Sequence, residues 1–188
     1  EIAIRLPLSL EVAVLSTILA ILIAFPLGTL AAVFRGTVTD YIVRILTIGG
    51  LAVPPFWLGM MIIVGLITWF NWLPALGFVP LLEDPVKNLS QLIWPALSVG
   101  YRYSSVVARM LRSTILEVLE EDYIRTARSK GVVERMVVAK HAMRNALLPA
   151  ITVLGLEFAF LIGGLVVTEQ VFSLNGIGLL FVESVLHN

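Results

Sequence analysis

Cysteine is absent from the 188 residues, which excludes disulfides, thiol nucleophiles and thiolate metal sites and leaves the redox compartment open. Charge is scarce too. Only 14% of residues are Asp, Glu, Lys or Arg, against roughly a quarter in an ordinary soluble domain. The formal net charge is zero, so no global basic field points to nucleic acid as a partner. The two histidines, His141 and His187, have no His or carboxylate neighbour at ligand spacing, and metal ligation is not expected of them. No nucleophile–base–acid set stands out, which leaves a hydrolase poorly supported. No Gly-x-x-x-x-Gly-Lys-Ser/Thr loop is present to cradle phosphates.

What is there is apolar. Hydrophobic residues make up 59% of the chain and its mean hydropathy is +0.96, too greasy to cover a surface in water. A bilayer is the natural solvent. Val12 to Phe34 carries no charge, long enough for a hydrocarbon core of roughly 30 Å at about 1.5 Å per residue. Spans are expected at about 8–34, 44–72, 92–112 and 146–168. Pro54-Pro55 should kink the second, and Trp69 and Trp72 suit an interfacial belt at its far end. The stretch from Val171 to Val182, with Asn175-Gly176 and Gly178, reads as an interfacial turn and helix. Glu1 opens the chain without a basic-then-apolar leader and no span closes it before Asn188. A piece of a longer protein is expected.

These spans leave two families of loops. Residues 35–44 and 109–145 hold ten basic residues, and the remaining loops hold only Arg5 and Lys87. The positive-inside rule therefore puts 35–44 and 109–145 in the cytoplasm. Within the segment 113–145 the pattern is helical. Val132, Val133, Met136 and Val137 form an apolar stripe, with Arg135, Lys140 and Arg144 largely off it. Gly131, after Ser129-Lys130, suits a left-handed residue past a helix C-cap, so two short helices joined there are expected. Leu148-Pro149 then marks the return into the membrane, with the proline early in a new helix. A helix lying on anionic headgroups would explain the basic residues alone. Glu117, Glu120, Glu121, Asp122 and Glu134 weaken that reading and favour a docking element for a soluble partner.

Tyr123-Ile124-Arg125-Thr126-Ala127-Arg128-Ser129-Lys130-Gly131, with His141-Ala142-Met143-Arg144-Asn145-Ala146-Leu147-Leu148-Pro149, resembles the cytoplasmic "EAA" loop of permease subunits of binding-protein-dependent ABC importers. The likeness is to the dipeptide, oligopeptide and nickel branch, with its MetI-like transmembrane domain. Arg125 and Thr126 stand where the general pattern has Glu-Ala, as in the peptide-transporting branch. Leu6 to Glu11, Pro54 to Gly59, Trp72 to Ala75 and Val167 to Gly178 resemble further segments of that branch in the same order. By this resemblance the first and last of six spans are missing.

The resemblance implies an all-α polytopic membrane bundle, a half-channel in a prokaryotic cytoplasmic (inner) membrane. It implies as partners a second permease subunit, two cytoplasmic ABC ATPases, an extracytoplasmic substrate-binding protein and membrane lipid. ATP and Mg would be bound by the ATPase; this chain is then a transporter subunit, not an enzyme, and carries no cofactor. Tyr123, Arg125, Thr126, Ala127, Lys130, Gly131 and Arg135 would form the coupling helix in a groove of that ATPase. Di- or oligopeptides are the implied cargo, with nickel or a nickel chelate as the alternative within the branch. An ion-coupled secondary carrier would need inverted repeats with paired broken helices, and no second copy of the first half is visible.

Glu157 and Arg102 are ionisable groups deep in expected spans, each costing roughly 2.5–3.5 kcal/mol at a helix centre, so they should face protein or water. They either line a translocation path or bond each other or the partner permease. Trp57, after the double proline, is a pathway aromatic or a buried packing residue. Glu11 lies within a turn of the outer end of its span and should be solvated. Gly163-Gly164 permits close helix approach.

Overall fold

A computed structural model describes residues 1–73 and 78–186, but not the surroundings of Gly163 and Gly164. His187, the Pro74-Ala75 part of one motif, and any packing by Gly163-Gly164 lie outside what is described. Among the described residues the chain is helical, with no strand. In chain order the helices are α1 (Ile2–Val33), α2 (Val38–Ala52), α3 (Pro55–Phe70), α4 (Pro85–Leu119), α5 (Asp122–Ser129), the short α6 (Glu134–Met136), a π-helical turn Val137–Ala142, α7 (Met143–Gly164), α8 (Val166–Val171) and α9 (Ile177–Leu186).

The first expected span is α1, unbroken for 32 residues. The second differs from expectation. Pro54-Pro55 does more than kink a helix: α2 stops at Ala52, and Pro55 opens α3 behind an extended Pro54. A proline at the first helical position loses no bond, whereas mid-helix it removes one and clashes with the preceding turn, so two prolines in a row favour a restart. By length and composition α1 and Glu134–Ile162 can cross a membrane, and a third crossing is reached if α2 and α3 count as one span. Helix α4 has the length, at 35 residues, and encloses the expected 92–112, but is not apolar enough to qualify on composition. The helix of the expected fourth span starts earlier than 146. It runs without a break from Glu134, so Pro149 sits inside α7 instead of opening a new helix.

The chain divides into two compact units. The first comprises Glu1–Leu19, Val53–Arg102 and Glu157–Asn188. There the backbones of α1 and α4 approach so closely that a Cβ on Gly100 would lie 2.9 Å from the carbonyl oxygen of Ser16. A Cβ on Gly59 of α3 would meet the ring of Phe172 at 2.7 Å. The start of α1 is fastened to α9 through Glu169, which is buried and accepts from Ser9 Oγ at 2.7 Å and from the amide of Leu179 at 3.0 Å. Ser9 Oγ in turn accepts from the amide of Ile177 at 2.9 Å. One carboxylate and one hydroxyl thus satisfy amides of α9's first turn that no helical carbonyl can reach.

The second unit comprises Ala20–Ala52 and Tyr103–Leu156. Ala20, Ala24, Gly28, Ala31 and Ala32 of α1 form a stripe of small residues about every fourth position, the four alanines fully buried. Membrane helices lack a hydrophobic drive between them and associate where small residues let backbones close up. Accordingly, a Cβ on Gly28 would come within 2.8 Å of the Ala108 carbonyl oxygen. Val107 and Ala108 pack beside Ala24, and Leu111, Ile115, Ala146 and Ala150 beside Ala32. Asp40, buried in the first turn of α2, joins α4 by a two-pronged pair with Arg112, both contacts at 2.8 Å, and accepts from the Gly36 amide at 3.0 Å.

Candidate functional site

The charged segment after α4 belongs to the second unit and is a short helix with a sharply defined end. Glu121 is extended and precedes α5, and Asp122 places a carboxylate in its first turn, where the helix dipole favours negative charge. Ile124 and Ala127, three residues apart, are buried and anchor the helix. Tyr123, Arg125, Thr126, Arg128 and Lys130 remain exposed around them. Gly131 takes a left-handed conformation (φ +78°), as the sequence predicts. Its amide bonds the Arg128 carbonyl at 2.9 Å and that of Val132 bonds Ala127 at 3.2 Å, the paired closure that terminates a helix at a residue only glycine occupies without strain.

Arg128 then ties the two sides of this turn together. Its guanidinium donates to Glu134 through Nε (3.0 Å) and Nη2 (2.6 Å), and reaches the Leu119 carbonyl at 3.4 Å. The paired carboxylate holds the guanidinium even more firmly charged than usual. Val133 is extended and precedes α6, and the π turn follows. These two features overturn the expected apolar stripe. Val132 and Val133 precede the helix instead of lying on its face, and the π turn advances the register by one residue. Val137, Val138 and Ala142 are therefore buried, while Val133 (66% exposed) and Met136 (51%) face outward. Val133 and Met136, together with Arg135, Ala139 and Lys140, line a cavity of about 440 Å³, so apolar and basic side chains share its wall.

Of the seven expected coupling residues, Tyr123, Arg125, Thr126 and Lys130 are exposed on α5 and its end, and Arg135 lines the cavity. Ala127 points inward and Gly131 shapes the turn. Thr126 Oγ1 donates to the Asp122 carbonyl at 2.9 Å, and Arg125 pairs with Asp122 at 3.3 Å. Tyr123 accepts from Asn145 Nδ2 at 2.6 Å, so α5 is also fixed to the start of α7. Arg128 was not among the expected coupling residues; its partner six positions away across a glycine leaves no periodic signal.

The three pathway candidates fall in the first unit. Glu157 and Arg102 are each half-buried. Trp57 is 46% exposed on α3, so within this chain it is not a buried packing residue. Glu11 is not simply solvated: Asn88, buried and needing an acceptor, donates to its carboxylate, and the Leu81 amide approaches at 3.4 Å. Glu169 carries the clamp on α9, and its partner Ser9, 160 positions away, could not be read from the sequence.

Comparison with known proteins decides the family. The family of binding-protein-dependent transport system inner membrane components matches residues 24–187. The chain belongs to it. Among relatives, a protein of Brucella suis biovar 1 named as a candidate peptide transport system permease is 43% identical over 98% of this chain and 59% of its own length. The glutathione transport system permease protein GsiC of Salmonella choleraesuis is 40% identical over 98% of this chain and 58% of its own length. The chain thus spans about three fifths of the curated relatives it matches. As an inner membrane component with apolar helices, it is a multi-pass protein of the MetI-like permease class, and the all-α reading of the sequence holds.

Proposed function

We propose that the protein of which this chain is part forms half of the translocation path of an ATP-driven importer for peptides, and that the α5–α6 turn is where a cytoplasmic ATPase grips it. ATP hydrolysis then belongs to that separate subunit, and a substrate-binding protein delivers the cargo from outside. A second permease, like or unlike this chain, completes the path. The observation that carries this reading is the turn itself: a helix anchored by only two buried side chains, locked at both ends, and presenting exposed polar residues beside an outward-facing pocket of Val133 and Met136. The names of the relatives, one for peptides and one for glutathione, favour peptide cargo over nickel. The half-buried charges Glu157 and Arg102 are candidates for meeting the charged ends of such a cargo.

Gly131→Pro tests the coupling role in the complete importer. Proline cannot adopt the positive φ and has no amide for the Arg128 carbonyl. The variant should reach the membrane at normal levels and retain ATPase activity while substrate uptake is lost. Normal uptake would remove the coupling role. For the path, Glu157→Gln should lower uptake without lowering ATPase binding, and wild-type uptake would remove Glu157 from it.

A further inference from the structure

A second concave site lies in the same unit, away from the α5–α6 turn and unused by the coupling reading. It is a cavity of about 380 Å³ between α1, α2 and α4, lined by Ala31, Val43, Ile48, Arg44, Arg109 and Arg112, with Thr47. Three arginines line it, and Asp40, outside the lining, pairs with one of them. Arg112 is committed to Asp40 through both its prongs. Arg44 is exposed and lies over the Tyr41 ring at 5.9 Å. Arg109 is exposed, with no ion pair among the described residues. One of three positive charges is neutralised, so the cavity keeps an excess of two.

The surroundings name the anion. Beside the cavity, α2 buries Asp40, Val43, Thr47 and Gly50 on one face and exposes Tyr41, Ile45 (69%) and Ile48 (58%) on the other. Ile48 belongs to both the cavity wall and this apolar flank. In an inner membrane component such a flank suits acyl chains. Arg44 and Arg109 also fall in the basic loop family assigned to the cytoplasmic side, where anionic lipid headgroups meet basic pockets between helices. A phosphate held by two guanidiniums, with chains running along Ile48 and Ile45, satisfies both halves of the site.

We infer that the Arg44–Arg109 cavity binds the phosphodiester headgroup of an anionic phospholipid from the cytoplasmic leaflet. Arg112, pinned by Asp40, is the fixed part of the lining, and Arg44 and Arg109 are the exposed donors, so Arg44 and Arg109 can be changed without breaking the Asp40–Arg112 fastening. The complete importer, purified in detergent, would be titrated with phosphatidylglycerol and with phosphatidylcholine, and retained lipid counted by native mass spectrometry. Phosphatidylglycerol should be retained over phosphatidylcholine, and Arg44→Gln and Arg109→Gln should each weaken retention about fivefold. Arg144→Gln, a basic residue of the same loop family outside both cavities, should leave retention unchanged, and Arg109→Lys should restore most of it. Equal retention in the R44Q/R109Q double variant would overturn the assignment. So would displacement of the lipid by millimolar inorganic phosphate, which would mark a site for a soluble anion. A cross-link from Arg109→Cys to a partner polypeptide in place of lipid would overturn it as well.

Discussion

Carboxylate–partner pairs are used in opposite ways in two parts of this chain. At Asp40 and Glu169 the carboxylate is buried and fully engaged, with Arg112 in one case and with Ser9 and an α9 amide in the other. Around α5, the pairs Arg125–Asp122 and Arg128–Glu134 stay exposed. Buried pairs resist the loss of one partner strongly, because the remaining charge or donor is stranded away from water, whereas exposed pairs are re-solvated at little cost. The first kind holds helices in register. The second shapes a surface and leaves it available to another protein.

The contrast breaks first at Asp40. Asp40→Ala strands Arg112 against α2 and should cost about 3–5 kcal/mol, read as a fall in the thermal unfolding midpoint of the detergent-solubilised subunit. A loss no larger than that of a surface variant would mean the pair is not a structural fastening. Glu169→Gln comes next. The amide turns a donor toward Ser9 or Leu179 and should cost about 1–3 kcal/mol, with faster hydrogen exchange at the amides of Ile177 and Leu179. Gly131→Ala has open space around its new Cβ, so only the left-handed backbone is strained, at about 1–2 kcal/mol. Arg125→Gln should shift stability by less than about 0.5 kcal/mol, and only uptake should register the change. If Arg125→Gln destabilised the subunit as much as Asp40→Ala, the division between fastening and docking charges would fail.

Local features were legible in the sequence and distant pairings were not. The unbroken α1, the turn and helix after Val171, and the left-handed Gly131 follow from charge-free length, breaker residues and C-cap chemistry. Each depends on neighbours within a few positions. The stripe at Val132–Val137 misled because periodicity assumes an unbroken α-helix, and an extended Val133 followed by a π turn moves every side chain beyond it. Pro149 was assigned to a helix start because proline is favoured there; the chain instead carries its helix through the site. Asp40–Arg112 and Ser9–Glu169, separated by 72 and 160 positions, leave no trace in any window. The small-residue stripe Ala20–Ala24–Gly28–Ala32 could have been seen, since its four-residue spacing signals close helix contact in a membrane.

Photo-cross-linking from position 136 in the assembled importer addresses the docking role most directly. With a photoreactive amino acid replacing the exposed Met136, an adduct to the ATPase subunit is predicted, weakened when Gly131 is changed to proline. Adducts only to lipid, or to no polypeptide at all, would contradict it.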